Sequence, residues 1–103
     1  MLFISGLNAI GEDGQIRAPG NIVGQTRIIY EKMGEILKAA GASFDDIVKT
    51  VEYIVDRKDY KGTADVRREF LGPEFPAATG VIVKGLLGRG VLIEIEAIAV
   101  LDS

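Results

Sequence analysis

The stretch that most constrains the fold runs from residue 91 to residue 101, VLIEIEAIAVL. It contains no glycine or proline and is rich in β-branched residues, so it predicts a β-strand. Successive side chains of a strand point to opposite faces of the sheet. One face is therefore entirely apolar and belongs in a core: Val91, Ile93, Ile95, Ala97, Ala99 and Leu101. The other face holds two carboxylates among aliphatic side chains: Leu92, Glu94, Glu96, Ile98 and Val100.

Glu94 and Glu96 permit two interpretations. In the first, another chain covers the half-apolar face that holds them, and the neighbours of an enclosed carboxylate then determine its chemistry. In the second, both glutamates keep an open strand face hydrated and prevent aggregation. The residue pattern alone favours the second interpretation, because acidic residues on strands are mostly solvated.

The composition excludes several classes of function. We expect a single domain spanning residues 1–103, since this length supports one core. The chain has no cysteine and no histidine, which excludes disulfides, cysteine-ligated zinc, and Ser-His-Asp or Cys-His catalysis. A net charge of −3 provides no basic surface for nucleic acid. No apolar run has the roughly 20 residues of a membrane span, so a cytoplasmic location is the default expectation.

Two helices are predicted. Asn21 is a suitable N-cap for the first, whose apolar stripe runs from Ile22 through Thr26, Ile29, Met33 and Ile36 to Ala40. The second is expected from Tyr60 to Leu71, with Asp59 as its cap and Gly72-Pro73 as its end.

Three strands are predicted in addition to the last one. They are expected at residues 2–5, ended by Gly6, at residues 47–55, and at residues 78–84; a short return strand is possible at residues 15–17. Because helices cross between strands, we predict an α+β fold with two helices on one face of a mixed sheet. The opposite face, which holds Glu94 and Glu96, is then uncovered within one chain. Its apolar content favours other copies of the chain as the cover.

Several short motifs together resemble the Rid (YjgF) family of reactive-intermediate deaminases. They occur along nearly the whole chain, in the order and at the spacing of that family. The most recognisable is IEIEAIAV at residues 93–100. The others are FISG at 3–6, QTR at 25–27, KAAGAS at 38–43, DDIVKT at 45–50 and FPA at 75–77.

The resemblance implies a chorismate-mutase-like α+β fold that assembles as a homotrimer. The sheets would form an inner barrel, and small-molecule ligand clefts would lie between subunits. Members of this family hydrolyse reactive enamines and imines to keto acids and ammonia, with no cofactor and no metal. By position, Glu94 matches the glutamate that orients the attacking water, and Ser5 and Gly6 match one wall of the cleft.

The resemblance breaks down where the substrate carboxylate would bind. The family has an arginine at the position of Ala78, so the guanidinium that clamps this carboxylate is missing. Lys84 is on the same predicted strand face but about 20 Å farther along, too far to replace it. Arg89 in the glycine-flanked loop is a candidate, although a solvated loop charge is the simpler interpretation. The substrate-binding residues assigned from the sequence are Ser5, Gly6, Ala78, Thr79 and Arg89.

Three hypotheses of function remain. The first is an imine or enamine hydrolase that uses Glu94 and a water, with a substrate choice altered by Ala78. The second is a non-catalytic trimer that binds or senses a small ligand. The third is a ribonuclease, which the negative charge and the missing histidine disfavour. The family also has a further strand and a Gly-Pro-Tyr segment before the position where this chain begins, so we expect part of the usual cleft wall to be absent.

Overall fold

The computed structural model describes residues 1–101, which form a four-stranded sheet and two α-helices. Two short 3-10 turns, Phe44–Asp46 and Tyr60–Gly62, precede the second strand and the second helix. The strands and helices are β1 (Leu2–Leu7), α1 (Ile22–Ala39), β2 (Ile47–Ile54), α2 (Thr63–Leu71), β3 (Ala77–Ile82) and β4 (Ile93–Ala99). The predicted α+β class with two helices is confirmed.

The sheet is mixed, with the strand order β1-β4-β2-β3. Strand β4 lies between β1 and β2 and is antiparallel to both. Strand β3 is parallel to β2 and forms an edge of the sheet, and helix α2 lies in the crossover between them. A parallel pair requires such a crossover connection. The final strand is therefore the one around which the sheet is organised.

The core lies between one face of the sheet and the two helices. The inward residues of β4, from Ile93 to Ala99, are all buried, as the alternation predicted. Helix α1 begins as expected, with the Asn21 side chain accepting a hydrogen bond from the Gly24 amide at 2.9 Å. Its buried stripe differs from the prediction near the C-terminus, where Leu37 is buried and Ile36 is half-exposed. Buried members from both helices join this core: Ile22, Ile29, Tyr30, Met33, Leu37, Val66 and Leu71.

Three local predictions were wrong. Strand β1 does not end at Gly6 but continues to Leu7 through an irregularity in its pairing with β4. Asp59 does not cap the second helix; its backbone is left-handed, and a 3-10 turn precedes the α-helix at Thr63. The possible return strand is a single bridge between Ile10 and Ile16.

An irregularity in β2 changes the face of the sheet on which Ile47 lies. The pairing of β2 with β4 shifts between Ile47 and Lys49, which places Ile47 in the core. Simple alternation along residues 47–55 would place Ile47 on the same face as Val51, opposite the core. A bulge of one residue interrupts the two-residue period and has this effect. From Thr50 onward the alternation holds, and Thr50 and Ile54 point toward the helices.

The opposite face of the sheet is open within one chain. Phe3 is 71% exposed and Val81 is 40% exposed, and every residue of β3 is exposed. Strands β3 and β4 are shorter than predicted. Strand β3 ends at Ile82, so Lys84 lies beyond its end. Within residues 1–101, none of the helices has the length and apolar character needed to cross a membrane.

Candidate functional site

The open face of the sheet holds both glutamates of β4. Glu94 pairs with Tyr53 of β2, and Glu96 pairs with Val51. Directly paired residues of neighbouring strands place their side chains on the same face. Glu94 and Glu96 are half-buried even within one chain. The interpretation in which both carboxylates are simply solvated is therefore too simple.

Gly6 and Glu94 are brought together. A Cβ atom built on Gly6 would collide with the carboxylate of Glu94. Only glycine leaves room for a carboxylate to approach the backbone this closely. The structure thus joins Glu94 to the Ser5-Gly6 segment that the sequence had assigned to one wall of the site.

The two glutamates differ in their hydrogen bonding. The Tyr53 hydroxyl donates to Oε1 of Glu96 at 2.6 Å. This bond raises the pKa of Tyr53, and burial adds to the effect. Among residues 1–101, no side chain donates a hydrogen bond to Glu94. Glu94 therefore keeps its acceptor sites available for a water or a ligand, whereas Glu96 is held in place by Tyr53.

A cavity of about 390 Å³ lies on the same open face, beside Glu96. Ser5 lies at its wall, and Lys49 supplies a cation. Thr79 of β3 pairs with Val51, so it extends this row toward the edge of the sheet. Four of the six residues that the sequence assigned to the site thus lie on the open face: Ser5, Gly6, Thr79 and Glu94. Gly6 is close to Glu94, whereas Thr79 is two strands away from it.

Ala78 is not part of that group. It pairs with Thr50, whose side chain is buried on the helix-facing side of the sheet. Ala78 and Glu94 therefore lie on opposite faces of the sheet within one chain. Arg89 is exposed in the loop before β4 and forms no ion pair with another residue of the described chain.

The helix-facing side contains a polar cluster that the sequence analysis missed. Glu52 is only 3% exposed and lies beside Ile95 of β4 and Gly80 of β3. The Tyr60 hydroxyl donates a short hydrogen bond to Glu52. Arg67 of α2 pairs with the same carboxylate at 3.2 Å. A buried carboxylate requires such partners, because burying an unpaired charge is very costly.

Further contacts fix the position of Arg67. Its Nη1 also donates to the Thr63 hydroxyl at 2.6 Å, and its guanidinium lies 5.1 Å from the centre of the Tyr60 ring. The sequence contains one signal for this cluster: Glu52 alternates with Thr50 and Ile54 and therefore shares their face of β2. The partners in α2 were not predictable, because they depend on how the helix lies on the sheet.

A cavity of about 230 Å³ opens next to this cluster, under the edge strand β3. Gly80 forms part of its wall, and Arg57 is the cation that lines it. Gly80 and Ala78 share a face of β3, two residues apart. The lining comprises Glu52, Ile54, Arg57, Tyr60, Gly80, Val81 and Ile82.

Comparison with known proteins agrees with this architecture. The chain matches the family model described as Endoribonuclease L-PSP over residues 1–101. A RutC family protein of Pyrococcus horikoshii is 41% identical over 99 residues, covering 95% of this chain and 77% of that protein. The 2-iminobutanoate/2-iminopropanoate deaminase of Capra hircus is 37% identical over 100 residues, covering 96% and 72%. The crystal structure of RidA from an Antarctic Psychrobacter has a TM-score of 0.85 at 28% identity, covering 96% and 79%.

The mixed sheet with two helices on one face thus defines a YjgF-like α+β domain. The chain belongs to the Endoribonuclease L-PSP family, which is the Rid (YjgF) family that its motifs resemble.

The buried cluster predicts a specific pH dependence of stability. Burial and the hydrogen bond to Glu52 raise the pKa of Tyr60 to about 12, compared with about 10 for an unfolded tyrosine. Because the folded-state pKa is the higher one, this stabilisation is complete below pH 10 and is lost as the pH rises toward 12. We expect the difference in free energy of unfolding between the wild type and Tyr60→Phe to shrink over this interval. Urea melts at a series of pH values test this, and a constant difference would contradict it.

Proposed function

We propose that this protein hydrolyses small reactive imines and enamines to keto acids and ammonia. The observation that supports this most directly is the half-buried Glu94 carboxylate, available for hydrogen bonding and close to the backbone at Gly6. Relatives named as 2-iminobutanoate/2-iminopropanoate deaminases are 33–37% identical over nearly the whole chain. No cofactor is required for this reaction, since the bond to be broken is already activated.

In the proposed mechanism, Glu94 acts as the general base. It accepts a proton from a water as the water oxygen bonds to the imine carbon, and it passes this proton to the imine nitrogen, which becomes an amine. The new hydroxyl then transfers its proton to the amine nitrogen through Glu94, and ammonia leaves as the carbonyl of the keto acid forms. With no histidine or cysteine in the chain, a carboxylate is the natural group for this proton transfer. Ser5 and Gly6 form the adjacent wall.

We further propose that the complete site lies between subunits of a homotrimer. Glu94 and Ala78 are on opposite faces of the sheet within one chain, so one chain alone cannot place both against one small substrate. The open face contains exposed apolar side chains such as Phe3 and Val81, and another copy of the chain would cover them. Three copies arranged in a ring give three equivalent sites.

The trimer has a direct test. Light scattering coupled to size exclusion should give three times the chain mass of 11.1 kDa at micromolar concentration. A stable monomer under the same conditions would contradict the proposal, since half of each site would then be missing.

Ala78 supports a second candidate function. Because it provides no charge where the family has an arginine, the protein could bind a small ligand without turning it over. In the deaminase proposal, the same substitution requires either that another cation binds the substrate carboxylate or that the substrate differs from that of the relatives. A ribonuclease activity has less support, because the chain has a net charge of −3 and no histidine.

Two substitutions separate catalysis from folding. Glu94→Gln should reduce the hydrolysis rate by about 100-fold or more, because a positioned base typically contributes this much. Gly6→Ala should also reduce the rate, because the added methyl group displaces the Glu94 side chain. Both variants should retain the wild-type melting temperature within a few degrees, since neither opens a cavity in the core.

The measurement is release of ammonia and keto acid, coupled to a pyridoxal-phosphate enzyme that generates the imine. A matched control is Glu12→Gln, which removes an exposed carboxylate that is distant from Glu94 in the sequence. Full activity in Glu94→Gln would exclude Glu94 as the base, whereas a wild type that binds the keto acid but releases no ammonia would favour the binding function.

A further inference from the structure

We infer that Arg57 binds the substrate carboxylate, in the cavity under β3, and so replaces the guanidinium that is missing at Ala78. This inference rests on the proposed deaminase function and assigns a specificity-determining residue to its site. It concerns small 2-imino acids, the class in the names of the deaminase relatives.

The substrate chemistry requires a cation. A 2-imino acid has a carboxylate directly attached to the reactive carbon. Holding that carboxylate fixes the position of the carbon relative to the attacking water, and a guanidinium is well suited to this because it can form two parallel hydrogen bonds. Ala78 cannot form them. A cation elsewhere must therefore reach the same face of β3.

Arg67 is near this face but is already engaged. Its Nη1 contacts Glu52 and Thr63, and its side chain is only 18% exposed. The Glu52 carboxylate balances its charge. Releasing Arg67 to bind a substrate would leave Glu52 buried without its partner, which is strongly unfavourable.

Arg57 has the properties that Arg67 lacks. It is exposed, it lines the cavity, and it forms no ion pair with another residue of the described chain. The cavity begins at Gly80, which is the next residue after Ala78 on the same face of β3. Alternate residues of a strand are about 6.6 Å apart, so an arginine introduced at position 78 would reach this cavity from its Gly80 end.

The rest of the cavity fits a small acid with a short aliphatic side chain. Arg67 balances the charge of Glu52. The charge of Arg57 therefore gives the cavity a net positive charge, which attracts an anion. Ile54 and Ile82, which pair on the helix-facing side, supply an apolar wall for the side chain of the substrate. Tyr60 also lines the cavity, and its hydroxyl is already engaged in the hydrogen bond to Glu52.

The test removes the positive charge of Arg57 and then introduces a positive charge at position 78. Arg57→Gln should lower kcat/KM for 2-imino acids tenfold to a hundredfold, mainly through a higher KM, as expected for loss of a charge-assisted hydrogen bond. Binding of 2-oxobutanoate, the keto acid formed from 2-iminobutanoate, should weaken by a similar factor in calorimetry. Introducing Ala78→Arg into the Arg57→Gln chain should recover much of the lost affinity. The control is Lys61→Gln, which removes a nearby exposed cation that does not line this cavity and should change neither quantity.

Four results would overturn the inference. Arg57→Gln that binds 2-oxobutanoate with wild-type affinity would exclude Arg57. A loss of affinity in Arg89→Gln alone would assign the carboxylate to Arg89. A lower melting temperature in Arg57→Gln, with no recovery from Ala78→Arg, would give Arg57 a structural role. A wild type that neither hydrolyses imines nor binds the keto acid would exclude the deaminase function itself, which distinguishes that failure from the other three.

Discussion

The structure depends on the two unlike faces of strand β4. Its inward face is buried from Ile93 to Ala99 against both helices, and each fully buried aliphatic side chain there contributes about 1.5–3 kcal/mol to folding. Both neighbouring strands form their hydrogen bonds with β4. The register of this strand is therefore fixed by the core, because a slip of one residue would place Glu94 and Glu96 inside it. The same constraint holds Glu94 on the open face beside Gly6.

The helix-facing side of the sheet holds a carboxylate, Glu52, inside the core, and a buried carboxylate needs partners for its charge. Glu52 is held by Arg67, Tyr60 and, through Arg67, by Thr63. Such a network fixes the orientation of α2 on the sheet at some cost in desolvation. It also forms a rigid wall for the cavity under β3. The two faces of one sheet thus hold two different chemical groups: a carboxylate available to a water on one, and a cation beside a small cavity on the other.

Much of the fold could be predicted from periodicity. The apolar stripe of α1 and the alternation in β4 each repeat over several turns or residues. The buried face of β4 was therefore correctly predicted, and so was that of α1 as far as Met33. The failures occurred where a single residue changes the geometry. The bulge after Ile47 places that side chain on the core face instead of the open face of the sheet. Asp59 has a left-handed backbone and does not cap α2. Neither conformation has a repeating signal in the sequence.

The site was less predictable than the fold because it depends on strand pairing. The motifs indicated Glu94, Ser5 and Gly6 together, and the structure places them together. That Ala78 faces the opposite side follows only from its pairing with Thr50, which a single sequence does not reveal. The partners of Glu52 depend on the placement of a helix and were missed for the same reason. In physical terms, local periodicity shows which residues share an element, whereas long-range register determines which functional groups meet.

We propose that two chains supply the two halves of each site in a trimer, and mixed trimers test this most directly. Arg57→Gln chains retain Glu94, and Glu94→Gln chains retain Arg57. The two variants can be expressed together with different affinity tags, and trimers that contain both can be purified through the two tags. In a ring of three, a mixed trimer of either composition has one interface with both residues intact, so about one third of the wild-type kcat/KM, measured at low substrate concentration, should return. Mixed trimers that remain as inactive as the separate variants would contradict the claim.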